Sequence, residues 1–426
     1  MSIVEEARDQ VSIEIDRSFY QLSHISSQPY IFKVYERVRR VNKKAYEPEV
    51  LAIGPYHRGN PKLKRMEGEK LRYLQQLLRR RNEDGVDQYV KAMRNVEKTA
   101  RGCYAEHISL SPDKFIEMLV LDGCFIIELF RRHAMPELRD RNDIYFQTFE
   151  LLFDIIHDLM LVENQLPFFV LTTLFDMTKS EDPRDNIISA ALDLLTDFVP
   201  CEVEEYLDEC DDDIGDIKHL VCLVHKCWCS PFARILSKRD LRFQAEPLEL
   251  IRSATELTEA GVKFKKVEGR TLFDIRFSKG VMEMPCLPVG DETDFVARNL
   301  IAYEQYLPND GPNYVTDYFA FIDCLVNSSK DVELLREEGI IDNWLGDNET
   351  VVTVFNKICN DVSSPMNLYY VEIFCQVNKH CRKRVNRWIA NLNHNYFNTP
   401  WASISVIVAA VLLLLTVAQT VLSIVK

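Results

Sequence analysis

The sequence predicts a mainly α protein: one large helical domain with a small antiparallel β hairpin element, followed by a single transmembrane helix at the C-terminus. Three observations carry this. Apolar residues recur at spacings of three and four along most of the chain, which places them on one face of successive helices. Strict alternation occurs only between 261 and 290. The 25 residues from Trp401 to Val425 include no charged side chain. The expected organisation is a peripheral N-terminal segment (1–29), a helical domain (30–398) and the membrane helix (401–425).

The elements follow in order. From Pro61 to Arg81, Leu63, Met66, Leu71, Leu74, Leu77 and Leu78 form a helical stripe with basic residues opposite. Ser111-Pro112-Asp113 is a helix start: a hydroxyl to cap, a proline that needs no N–H donor in the first turn, and an acid at the positive helix end. The helix it opens, to about His133, is apolar on most faces and therefore central. Phe146, Phe149, Phe153, Ile156 and Met160 mark another from about Asn142 to Val162. Pro167 then ends the break at 163–166 and opens a helix through Phe175. Helical patterns recur at 184–198, 216–228, 331–338, 349–361 and 367–391. Alternation in 262–265, 272–277 and 281–285, with Lys279-Gly280 as the turn, gives the hairpin.

The last helix would rise about 37 Å, enough to cross a hydrocarbon core of about 30 Å with some tilt. Trp401 stands where an interfacial aromatic belongs. Arg382, Lys383, Arg384 and Arg387 precede the run and only Lys426 follows it, so the large domain is expected on the cytoplasmic side. Thr416, Gln419, Thr420 and Ser423 share a face, which raises homo-oligomerisation as an expectation.

Composition narrows the function. At 426 residues, with 47% apolar residues and only 14 glycines, the chain has enough apolar material for a sizeable core and lacks a long flexible linker. A net charge of −14 disfavours nucleic acid as a partner. The acidic run at 201–216 reads as a solvated loop. Twelve scattered cysteines fit a reducing compartment. The start, MSIVEEARDQ, has acids where an export signal needs a basic region, so none is expected.

Eight strings, among them AYEPEVLAIGPYHRG (45–59), LDGCFIIELF (121–130), LVENQLPFF (161–169) and the YFNTPW ending, occur in one order. Together they resemble the plant domain of unknown function 247 family from about residue 30 to the C-terminus. Tyr35, Arg58 and Tyr306 stand where that family usually has proline, histidine and cysteine. The resemblance implies a C-terminal membrane helix, no established enzymatic activity and a part in recognition or signalling; some grass members are implicated in pollen self-incompatibility.

Chemistry-bearing clusters are few. His219, Cys222, His225, Cys227 and Cys229 are metal-ligand types, but they lie on an apolar helical stretch and match no zinc-module spacing, so helix packing is expected and no metal or other cofactor. Glu150, Asp154, His157 and Asp158 read as a solvated helix face with ordinary pairing. Asp122, Glu163, Asn164 and Gln165 occur among apolar helices and read as a structural polar network, with bases expected from Arg37–Arg40 and Arg65–Arg72. Nucleophile-elbow, phosphate-loop and zinc-protease patterns do not occur. The expected function is a non-enzymatic membrane protein in recognition or signalling, partnered by the lipid bilayer and an unidentified protein. The alternatives are an anchored scaffold or an enzyme with a pocket near Glu163.

Overall fold

A computed structural model describes residues 9–22, 29–199, 216–237, 249–269, 271–308, 311, 313–362, 369–383, 408 and 411–420. The chain divides into two compact units, Met1–Ser230 with Arg298–Pro312 and Pro231–Ala297 with Asn313–Lys426. As the sequence predicts, both are mainly helical, and the few, short strands described lie in the second.

The first unit holds α1 (Gln10–Leu22), α2 (Glu36–Arg39), α3 (Lys64–Arg81), α4 (Asp87–Gly102), α5 (Pro112–Ala134), α6 (Ile144–Gln147), α7 (Phe149–Leu159), α8 (Phe168–Thr178) and α9 (Ile187–Leu194). It also takes the part of α10 (Leu220–Ser237) up to Ser230. The α5 helix is the centre. Ser111 Oγ accepts from Lys114 N, Pro112 opens the first turn, and nearly every residue from Phe115 to Arg132 is buried. Helices α3, α4, α8 and α9 pack around it. A Cβ at Gly123 would meet Leu174 Cδ1 at 2.4 Å, so glycine is what lets α8 approach.

Two expectations change here. Leu71 is 56% exposed, while Lys70 is buried. At 100° per residue Lys70 lies midway between Met66, Tyr73, Leu74 and Leu77, and Leu71 falls at the edge of that face. The helix expected over 142–162 is two, α6 and α7, divided at Thr148, whose backbone is extended; Phe149 begins the second and is 75% exposed.

The second unit contains α11 (Ala254–Glu259), β1 (Lys263–Val267), β2 (Arg276–Ser278), β3 (Val281–Pro285), β4 (Leu287–Val289) and α12 (Glu292–Glu304), whose residues from Arg298 on belong to the first unit. Then follow α13 (Tyr314–Leu325), α14 (Ser329–Glu337), β5 (Ile341–Asn343), α15 (Asn348–Ile358) and α16 (Val371–Cys381). The hairpin is present: β2 and β3 are antiparallel, joined through Lys279 and Gly280, both at positive φ. The stretch expected at 262–265 differs. It forms β1, which pairs with β3 in parallel, giving the order β1-β3-β2, because Phe273, Asp274 and Ile275 turn inward as a buried loop and bring the chain back on the far side of β3. A parallel pair, β4 with β5, stands apart. Phe232, Phe273, Phe321 and Tyr370 are in ring contact, and Tyr370 donates to Phe273 O at 2.9 Å.

Residues 411–420 are helical with exposed side chains, Gln419 among them. Thr416 and Thr420 donate back to the carbonyls of Leu412 and Thr416, both at 2.8 Å. Among the described residues no helix is long and apolar enough to cross a membrane. Trp401, Ser423, Arg384, Arg387 and the acidic run 201–215 lie outside the described residues.

Candidate functional site

Residues 51–54 (LAIG) are buried yet belong to no helix or strand. Each buried N–H and C=O must find a partner, and side chains distant in sequence supply them. Asp158, at the end of α7, accepts from three consecutive amides: Glu49 N at 2.9 Å, Val50 N at 2.8 Å and Leu51 N at 2.7 Å. Asn164 Oδ1 accepts from Ile53 N at 2.7 Å, while its Nδ2 donates to Leu51 O and Asp158 O, each at 2.9 Å. Asp122, from α5, accepts from Gly54 N at 2.9 Å. Gly54 has φ of +69°, and a Cβ there would lie 2.6 Å from Gln165 O, so both conformation and space require glycine.

The break at 163–166 completes the weld. Gln165 Nε2 donates to Leu159 O at 2.7 Å and Leu161 O at 2.8 Å, and its Oε1 accepts from Val221 N at the start of α10 at 3.3 Å. Glu163 Oε1 accepts from Val34 N at 2.5 Å and from the Arg39 guanidinium; His57 Nε2 lies 3.6 Å from its other oxygen. Lys70 is fully buried and donates to Ala52 O at 2.5 Å, Glu67 at 2.6 Å and Asp122 at 2.7 Å. Arg58 Nη1 stands 3.4 Å from Glu67 and 3.8 Å from Asp122.

Burial raises the Asp122 carboxyl against the pull of Lys70 and Arg58, and it raises Glu163 against Arg39. His57 is lowered to about 4, by burial first and then by Arg39, so its imidazole is neutral at pH 7 and its contact with Glu163 is no ion pair there. An acid, a base and cations thus converge. Glu163 is only 2% exposed, however, and its Oε1 already holds two donors, with His57 beside Oε2. A substrate would have to displace them.

Asp122, Glu163 and Asn164 therefore all bond to segment 31–59, while the Gln165 side chain ties the 159–161 turn to the start of α10. The bases come from the two expected regions, Arg39 on Glu163 and Lys70 on Asp122, with Arg58 as a further cation near Asp122. Asp158, read as part of a solvated face, is fully buried. Its signal was the position: it stands in the last turn of α7, just before the chain turns at 160–163, where its carboxylate can reach the buried, unpaired segment. The positions of Tyr35 and Tyr306 are in ring contact at 4.9 Å, with Phe32 stacked on Tyr306 at 4.3 Å.

Of the cysteine and histidine group on α10, His219 Nδ1 accepts from Cys222 N at 3.2 Å, and burial lowers its imidazole to about 3. Cys222 and Cys227 are buried. His225 and Cys229 come together with Glu304 at the end of α12, all three buried. A separate groove of about 350 Å³ runs between α8 and α9, bordered by Phe168, Phe169, Thr172 and Ile187.

Residues 31–415 match the family described as plant protein of unknown function, domain of unknown function 247, and the chain belongs to it. The chain is 30% identical to UPF0481 protein At3g47200 of Arabidopsis thaliana, over 92% of this chain and 86% of that protein. It is 23% identical to Putative UPF0481 protein At3g02645 of the same plant, over 96% of this chain and 92% of that protein. No solved structure matches.

Proposed function

We propose that this chain is a non-enzymatic, single-pass membrane protein acting in recognition or signalling, with its helical part on the cytoplasmic side and its contact to a protein partner made there. One observation carries the reading: Trp401–Val425 has no charged side chain over 25 residues, and transferring even one charge to the centre of such a span costs about 2.5–3.5 kcal/mol. The basic flank at Arg382, Lys383, Arg384 and Arg387 supports the orientation. The non-enzymatic part rests on Glu163 and Asp122, whose carboxylates are engaged by backbone amides and by the cations Arg39 and Lys70. Pollen self-incompatibility, implied by the family resemblance, is one such recognition role.

Alkaline carbonate extraction tests the tether. Full-length protein is expected to stay in the membrane pellet, and a chain ending at Pro400 to leave it. Release of the full-length protein would overturn the reading. Protease protection in sealed vesicles then reports the side: the helical part is expected to be digested from the cytoplasmic face.

A further inference from the structure

We propose that His225, Cys229 and Glu304 form a binding site for one zinc ion in the first unit. The sequence places the first two one helical turn apart on α10, so their side chains share a face. The third is the last residue of α12, 79 positions away, brought alongside by the fold. His225 Nε2 lies 2.9 Å from Glu304 Oε1 and 3.4 Å from Cys229 Sγ, and one ligand atom from each residue falls within 4.8 Å of the others.

Those separations suit a shared ion. Zinc bonds of about 2.0 Å to nitrogen and oxygen and about 2.3 Å to sulfur put tetrahedral ligands about 3.3–3.6 Å apart. The histidine–carboxylate pair needs to open by only a few tenths of an ångström to admit the metal. The donor set selects among metals: a thiolate with an imidazole excludes the oxygen-seeking calcium and magnesium and favours zinc. Charge agrees as well. A divalent cation with one thiolate and one carboxylate is neutral, which a site whose three residues are at most 5% exposed requires. The Tyr303 ring packs edge-on against His225 at 5.1 Å and against His219 at 5.1 Å, walling the cluster.

Zinc uptake exchanges protons for metal. The Cys229 thiol gives its proton to solvent as the S–Zn bond forms, and His225 Nε2 gives up its proton, to Nδ1 or to solvent, as the N–Zn bond forms. Three protein ligands leave a fourth position for water or a ligand. In the absence of metal the same three groups hydrogen-bond to one another, and that is the outcome the test must distinguish.

The experiment uses the full-length protein, solubilised in detergent, stripped with a chelator and reloaded with zinc or with cobalt as a spectroscopic probe. The expected result is close to one equivalent of zinc retained after desalting, and a thiolate-to-cobalt charge-transfer band in the near ultraviolet. Cys229→Ala abolishes the band. Glu304→Gln, which keeps the hydrogen bond to His225, weakens zinc binding more than about 100-fold, beyond the range of an outer-shell change. Retention below about one tenth of an equivalent without a cobalt–thiolate band overturns the proposal, as does unchanged binding in both variants. If the variants do not fold, the band in the unmodified protein decides: its presence supports the site and its absence refutes it.

Discussion

Lys70→Met lowers the unfolding free energy by about 3–5 kcal/mol, the range for breaking a buried ion pair by removing one partner. The ammonium is fully buried and serves Ala52 O, Glu67 and Asp122 together. Methionine fills similar space on α3 but leaves the Asp122 carboxylate buried with Arg58 at 3.8 Å as its remaining cation, and leaves the Ala52 carbonyl without the ammonium. The companion change Asp122→Asn removes the stranded charge and retains an acceptor for Gly54 N, so the double variant is expected to recover part of the loss. Urea unfolding of the detergent-solubilised protein measures both. A loss within about 0.5 kcal/mol for Lys70→Met, the usual size for a surface change, would mean that the ammonium reaches solvent.

Asp158→Ala is expected to cost about 2–6 kcal/mol, because it orphans the buried Leu51 amide, worth about 1–3 kcal/mol, together with the partly buried amides of Glu49 and Val50, worth about 0.5–1.5 kcal/mol each. The sign is separable from a general effect of losing a charge. Asp158→Asn keeps the oxygen that serves Val50 N and Leu51 N and loses the one that serves Glu49 N, so stability should fall in the order aspartate, asparagine, alanine. Equal losses for the two variants would show that the carboxylate charge matters and the amide contacts do not.

Local chemistry made much of the fold legible. Ser111 with Pro112, Pro167, and Lys279 with Gly280 each fix a boundary through capping, a missing N–H or positive φ, and α5, the Pro167 helix and the β2–β3 turn appear where those residues stand. Pairings across long separations were not legible. Nothing local to Asp158 states that its partners lie at residues 49–51, and nothing near His225 points to Glu304. Periodicity also misassigned Lys70 and Leu71, since hydropathy ranks leucine inside and lysine outside, whereas a buried carboxylate at Asp122 reverses that preference. The parallel register of β1 likewise depends on how the buried loop at Phe273–Ile275 returns the chain. The site residues 163–165 announced themselves only as polar groups in an apolar setting, which says that partners exist but not which ones.

Amide hydrogen exchange across residues 49–54 is the most direct measurement of the central claim that distant side chains weld this segment into the core. Glu49, Val50, Leu51, Ile53 and Gly54 belong to no helix or strand, and their amides donate to Asp158, Asn164 and Asp122. The expected result is protection approaching that of the α5 amides, so that these positions open only with the unfolding of the first unit. Exchange at the rate of an exposed loop, with α5 still protected, would contradict it.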